Sequence, residues 1–219
     1  MATIAILPIK SFGQAKQRLR EQLAPTHRRR LAEAMYRDVL VALGHTEAIA
    51  QILVVTSDQR ARELAVSPRT LLLDDQGLGH SEAAVLGARA GLESGFERTL
   101  LVPGDCPLLD PDELDALLAR DAAPRSALIV PDRHGTGTNA LLLRPPDALA
   151  PAFGPGSCRR HVQSAQAVGS AAEVVTVSSL ALDIDTPDDL EALIGAFERS
   201  GGAAIHTRAA LGELLRSPA

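Results

Sequence analysis

Basic and acidic residues follow short apolar segments of this sequence. Lys10, Lys16 and Arg18 come after the first such segment, within LPIKSFGQAKQRL. Asp105 directly follows another one, LLVPG. Lysine and arginine side chains bind phosphate groups, whereas carboxylates hold Mg²⁺ together with phosphate oxygens. These residue types therefore indicate a site for a phosphorylated ligand and a divalent metal.

Two further carboxylates, Asp183 and Asp185, lie in the segment LDIDTP. Mg²⁺ prefers hard oxygen ligands and needs only one or two protein carboxylates beside phosphate oxygens. Asp105 and one of these two aspartates would meet that need. We predict that Asp183 is the ligand, because Asp185 is close enough to the helix opening at Pro187 to cap it. The alternative is structural, with Asp105 as a turn residue and Asp185 as a helix cap.

The first loop lacks the motifs of two large nucleotide-binding classes. It contains no GxxxxGK[ST], which excludes a P-loop NTPase, and no GxGxxG, which disfavours a dinucleotide dehydrogenase. Its single glycine, Gly13, and its cations could instead wrap a triphosphate through backbone N–H groups and point charges. The alternative is an ordinary solvated basic loop.

Two glycine-rich segments offer backbone N–H groups to an anion. GTGTN joins two apolar segments, and FGPGS leads into a helix that starts near Ser157. A helix N-terminus with a serine is a good site for a carboxylate or a phosphate. Arg159, Arg160 and His161 follow and are expected to add positive charge. The alternative is a plain loop in which Ser157 only caps its helix.

Seven apolar segments must position these residues, and they alternate with amphipathic helical patterns: residues 3–7, 52–56, 70–73, 99–102, 127–130, 140–143 and 174–177. Because each segment is continuously apolar, it is typical of a strand buried on both faces of a parallel sheet. The alternation predicts a doubly wound, mostly parallel α/β sheet. Ligands bind such sheets beyond the carboxyl ends of the strands, where the loops described above would meet.

Helix signals and a natural break complete the organisation of the chain. Ser81 can cap one helix, and Asp110-Pro111 and Thr186-Pro187 can open two others. We predict one domain over residues 1–199. Residues 200–219 would form a C-terminal tail with a short helix around residues 207–215.

The composition excludes several classes of function. The chain has 219 residues, 46% of them hydrophobic, with a formal net charge of −5. This balance argues against broad binding to nucleic acid or to a membrane surface. Two cysteines cannot form a disulfide framework, and the N-terminus resembles neither a signal peptide nor a membrane span. We expect a reduced, cytoplasmic protein, with the oligomeric state open and a homodimer among the alternatives.

The chain resembles a known family, the guanylyltransferases that form the phospho-acid–guanosine diester of coenzyme F420 biosynthesis (2-phospho-L-lactate or phosphoenolpyruvate guanylyltransferases). The resemblance covers residues 3–198 and rests on LPIKSFGQAKQRL, PGDCPLL, DRHGTGTNALLL, FGPGSCRRH and LDIDTPDDL. It implies a Rossmann-like fold of the nucleotide-diphospho-sugar transferase type. It also implies GTP and a small phospho-acid as substrates, with Mg²⁺ as the cofactor.

The resemblance also assigns roles in the acid and metal sites. It implies that Thr138, Gly154 and Ser157 hold the phospho-acid, largely through its carboxylate. It further implies that Asp105 and Asp183 hold Mg²⁺. Phosphoenolpyruvate is the preferred acid, with 2-phospho-L-lactate and 3-phosphoglycerate as the alternatives, because pockets discriminate weakly between molecules that differ this little.

The nucleotide site follows from the same resemblance. Lys10, Lys16 and Arg18 would lie against the phosphates of GTP, and Gly79 and Ser81 would contact the nucleotide. Residues 79–81 are Gly-His-Ser in this chain, where the family usually has Gly-Leu-Asn.

The expected reaction is an in-line displacement. The phosphate of the acid attacks the α-phosphorus of GTP, and Lys16 and Arg18 stabilise the departing pyrophosphate beside Mg²⁺ on Asp105 and Asp183. A phosphate oxygen is already ionised, so no general base is required. Two alternatives remain open: a molybdopterin or sugar-phosphate nucleotidyltransferase, which typically has a Gly-Gly pair in the first loop, and a non-catalytic GTP-binding module.

Overall fold

One sheet of seven strands forms the centre of the computed structural model, which describes residues 1–120, 123–199 and 202–216. In chain order the strands are β1 (Thr3–Pro8), β2 (Ile49–Val55), β3 (Thr70–Leu73), β4 (Arg98–Leu101), β5 (Ser126–Pro131), β6 (Thr138–Arg144) and β7 (Ala171–Val174). Their order across the sheet is β3-β2-β1-β4-β6-β5-β7. Only β6, among these strands, runs antiparallel to its neighbours. The predicted mostly parallel α/β fold is confirmed.

Two strands differ from their sequence-based predictions. The β6 segment is as apolar as its parallel neighbours, but a six-residue connection from β5 is too short for a crossover, so the two strands form a hairpin. Strand β7 comprises Ala171–Val174 rather than residues 174–177. It is an exposed edge strand, whereas Val177 packs into the core beside Leu180. The apolar character of residues 174–177 therefore reflects the contact of Val177 with the core and does not indicate a strand.

Helices cover both faces of the sheet. They are α1 (Pro25–His45), α2 (Gln59–Leu64), α3 (His80–Glu93), α4 (Pro111–Leu118), α5 (Ser157–Ala167), α6 (Pro187–Arg199) and α7 (Ile205–Arg216). As predicted, α4 opens at Asp110-Pro111, where the Asp110 carboxylate accepts the N–H groups of Asp112 and Glu113. The predicted cap of α3 is wrong, because the helix begins at His80 and Gly79 occupies the cap position.

The core has one layer on each side of the sheet. Alternate residues of the central strands form one cluster with α1 and α4 on one face of the sheet and another cluster with α3 and α5 on the other face. Helix α3 lies especially close to the sheet at Gly87. A Cβ added there would lie 2.3 Å from Cγ2 of Ile6, so only glycine fits. No helix in the described part of the chain has the length and apolar character needed to cross a membrane.

The C-terminal helix α7 packs against α1, in the region where the sequence predicts a short helix. The Asp38 carboxylate on α1 accepts the backbone N–H groups of His206 and Thr207 at 3.0 and 2.8 Å. These bonds satisfy two N–H groups of the first turn of α7. The predicted boundary after residue 199 stays a prediction, because residues 200 and 201 lie outside the described residues.

Candidate active site

A cavity of about 800 Å³ opens where the carboxyl ends of the parallel strands meet the start of β6. Its walls include all but one of the residues to which the family resemblance gives a role: Lys10, Lys16, Arg18, Ser81, Asp105, Thr138, Gly154, Ser157 and Asp183. Gly79 is the exception, since it caps α3 and does not line the cavity.

Lys16 forms the centre of a charge cluster in this cavity. Its Nζ lies 2.5 Å from Oδ2 of Asp105 and 3.0 Å from Oδ1 of Asp185, and the lysine side chain is only 7% exposed. Burial disfavours the charged ammonium, but the two carboxylates outweigh it, so the pKa of Lys16 is raised. Lys16 is therefore a fixed positive charge. Arg18 is more exposed, with Nη1 3.9 Å from Asp185.

The backbone holds Lys16 in an uncommon conformation. Its φ of 55° lies in the left-handed region, which costs a non-glycine residue about 1–3 kcal/mol. Leu19 anchors the next turn of the loop in a small core cluster. Ile184 is buried in the same cluster, so one apolar contact region positions both Lys16 and the aspartates that flank Ile184.

Asp183 and Asp185 both face the cavity, although the sequence analysis placed only Asp183 in the site. Residues two apart in an extended segment share a side, and Ile184 between them points into the core. The expected helix cap is also wrong. Thr186 and Asp189 cap α6 reciprocally, and Asp185 is free to bind Lys16.

The surroundings of Asp183 disfavour its ionised form. Burial, together with the nearby Asp105 and Asp185, raises its pKa to about 6, although Nδ2 of Asn139 donates to it at 3.1 Å. Among the described residues, no three acidic, histidine or cysteine side chains form a ready-made metal site. The carboxylates of Asp105, Asp183 and Asp185 all line this part of the cavity and are oxygen donors that it offers to a cation.

Thr138 and Ser157 form the other end of the cavity. Thr138 begins β6 and Ser157 begins α5, and their hydroxyl oxygens lie 3.0 Å apart. Ser157 does not cap its helix, because Gly156 occupies that position with a φ of 71°. Gly154 has a φ of 105° in the same loop, which glycine adopts without strain.

The three residues that follow Cys158 do not add the expected charge to the cavity. Arg159 is exposed outside it, and the Arg160 guanidinium donates to the carbonyls of Pro155 and Ala152, which braces the loop. His161 is fully buried, and burial together with Arg160 lowers its pKa to about 4. His161 is therefore neutral.

Comparison with known proteins identifies the family. A family model described as "Guanylyl transferase CofC like" matches residues 3–201. The chain belongs to this family. It is 48% identical over 219 residues to the phosphoenolpyruvate guanylyltransferase of Conexibacter woesei, covering 99% of this chain and 98% of that protein. It is 33% identical over 194 residues to the 2-phospho-L-lactate guanylyltransferase of Methanothermobacter thermautotrophicus, covering 89% of this chain and 85% of that protein.

Solved structures support the fold of this CofC-like guanylyl transferase. A candidate nucleotide-diphospho-sugar transferase from Desulfovibrio desulfuricans G20 superposes with a TM-score of 0.71 at 19% identity, covering 96% of this chain and 94% of that one. At this identity the likeness concerns the fold alone.

Sequence reasoning missed three residues in the walls of this CofC-like cavity. Asn139 donates to Asp183 and to the carbonyl of Leu180, and its place in GTGTN was the available signal. Asp189 pairs with Arg133 at 2.6 Å. His80 lies edge-on to Phe153 with a ring separation of 5.2 Å, and burial lowers its pKa. Only the fold brings the last two to this cavity.

Proposed function

We propose that the protein transfers GMP from GTP to a small phospho-carboxylic acid, with phosphoenolpyruvate as the preferred acid, and releases pyrophosphate. The observation that carries the proposal is the two-ended cavity of a CofC-like chain. One end has the buried cation Lys16 and the exposed cation Arg18. The other end has the hydrogen-bonded hydroxyls of Thr138 and Ser157 and the backbone around Gly154. Such a cavity suits two anionic substrates of different kinds. We also propose that the product belongs to coenzyme F420 biosynthesis, as the resemblance of the sequence implies.

The cationic end suits the phosphates of GTP. Lys16 keeps its charge and its position through Asp105 and Asp185. Arg18 is 70% exposed and can move onto a phosphate that enters the cavity. Lys10 is exposed at the cavity wall. These cations would stabilise pyrophosphate as negative charge develops on it.

The carboxylate cluster fits Mg²⁺. Its donors are oxygens, and burial together with the neighbouring Asp105 raises the pKa of Asp183, so a bound cation would favour the ionised carboxylate. Asp105 and Asp183 would hold the ion, which supplies charge neutralisation between two anionic substrates. Asn139 keeps the Asp183 carboxylate oriented through its amide.

The hydroxyl end suits the carboxylate of the acid. Thr138, Ser157 and the backbone around Gly154 would orient the acid so that its phosphate oxygen faces the α-phosphorus of GTP. That oxygen is already ionised at neutral pH. The chain's task is therefore to align two anions and to exclude other geometries.

The test is pyrophosphate release with Mg²⁺ and GTP, CTP or ATP, offering phosphoenolpyruvate, 2-phospho-L-lactate and 3-phosphoglycerate separately. We expect release with GTP and phosphoenolpyruvate. Asp105→Asn should abolish it, whereas Asp188→Asn, an exposed carboxylate outside the cavity, should not. GTP binding without release for any acid would indicate the non-catalytic module. If no acid supports release, the same assay is repeated with a sugar phosphate and with a molybdopterin, and release with one of these would indicate the other class of nucleotidyltransferase.

A further inference from the structure

His161 connects the acid end of the cavity to a buried hydrogen-bond network. It lies on α5 with no exposed surface. Nε2 of its ring lies 2.9 Å from the backbone nitrogen of Ala152, and Nδ1 lies 3.1 Å from Oγ1 of Thr138. Both ring nitrogens therefore have one partner each.

The Ala152 contact fixes the tautomer of the ring. A backbone N–H group can only donate, so Nε2 of His161 must accept and carries no proton. A neutral imidazole has one N–H group, which must then be at Nδ1. Nδ1 donates to Thr138 Oγ1, and the direction of this bond is set by a peptide group on the far side of the ring.

The direction of the His161–Thr138 hydrogen bond decides whether a hydroxyl proton is available to a ligand in the cavity. Thr138 and Ser157 have one hydroxyl proton each, and their 3.0 Å contact uses one of them. Because Thr138 accepts from His161, the second proton stays available to donate into the cavity that both residues line. With the opposite tautomer, Thr138 would donate to His161 and Ser157 to Thr138. The pair would then turn only lone pairs toward an anion.

We propose that His161 is a positioning residue, whose ring, held in one tautomer by Ala152, makes the Thr138–Ser157 pair a hydrogen-bond donor to the carboxylate of the acid. The identity of the ligand rests on the proposed function, whereas the tautomer does not.

Two variants separate this role from simple loop anchoring. His161→Asn keeps a donor near the Nδ1 position and loses the acceptor for Ala152, whereas His161→Gln keeps an acceptor near Nε2 and loses the donor to Thr138. We expect His161→Gln to raise the KM for phosphoenolpyruvate by about tenfold or more, since a hydrogen bond to a charged group is lost, with the KM for GTP unchanged. His161→Asn should keep most of the affinity for the acid. A purely structural role predicts the reverse order, which would overturn the proposal.

The tautomer is measured separately by ¹⁵N NMR of the full chain labelled at histidine. The chain has six histidines, and loss of a signal in His161→Gln assigns the ring. The proposal requires a neutral ring protonated at Nδ1, and a ring protonated at Nε2 would overturn it. This readout needs no substrate. If the acid panel fails but the tautomer is as expected, the proposed function is wrong and the network stands.

Discussion

Replacement of Lys16 by methionine removes the ammonium group and keeps a flexible side chain of similar shape. The wild-type Nζ contacts Asp105 and Asp185 at 2.5 and 3.0 Å. A fully buried ion pair that loses one partner costs about 3–5 kcal/mol, but these carboxylates can be hydrated in part. Their side chains are 26% and 48% exposed. We therefore expect Lys16→Met to lower the free energy of unfolding by about 1–2 kcal/mol.

The effect on catalysis should be larger than the effect on stability. If Lys16 stabilises the leaving pyrophosphate, its loss resembles the removal of an oxyanion donor, and kcat should fall by about 10²–10³-fold. Stability is measured by urea unfolding, and kcat by pyrophosphate release with saturating GTP and acid. Arg20→Met, which removes an exposed cation of the same loop outside the cavity, is the control. A kcat for Lys16→Met equal to that of the control would refute the reasoning.

Two further predictions concern packing and pH. Gly87→Ala should destabilise the fold by about 1–3 kcal/mol in urea unfolding, because its Cβ would clash with β1, whereas Gly44→Ala has open space and should be neutral or stabilising. A loss no larger than that of Gly44→Ala would contradict the close packing. The pKa of His161 is about 4 when folded, below its ordinary 6.5, so the unfolded chain takes up the proton first as the pH falls. The stability from neutral His161 is then complete above pH 6.5 and is lost between pH 6.5 and 4, by at most about 3 kcal/mol, relative to His161→Gln. If the free energy of unfolding of the wild type and of His161→Gln changes with pH in the same way, the lowered pKa of His161 is wrong.

The positions of six strands could be predicted because each contains most or all of one of the apolar runs, and five of these six are buried, whereas the run at residues 174–177 meets the exposed edge strand β7 only at Val174. Lys16, Asp105 and Asp183 all follow predicted strands, and ligands bind such sheets beyond the carboxyl ends of the strands. This predicted one site for the three residues, and the structure has all three in the same cavity. The antiparallel direction of β6 is not written in its composition, since a central strand is apolar in either direction. The length of its connection to β5 was the usable signal.

The charge states could not be predicted from residue types. His161 beside two arginines suggested positive charge, yet burial and the Ala152 N–H group make it neutral. The role of Asp185 depended on which neighbour capped α6, and that depends on the Thr186–Asp189 pair. Such outcomes are decided by burial and by competition among partners, which only the folded chain supplies.

The antiparallel hairpin has a consequence for how this kind of enzyme can change its substrate. Because β6 enters the sheet reversed, its first residue and the loop before α5 reach the cavity together, so Thr138, Gly154 and Ser157 come from one stretch of twenty residues. The cations at the other end come from the first loop of the chain. Under the proposed function, the residues that bind the acid and the cations that bind the phosphates of GTP are therefore encoded by separate segments of the gene. Exchange of residues 138–157 between relatives is then expected to alter the preferred acid while the first loop keeps its cations.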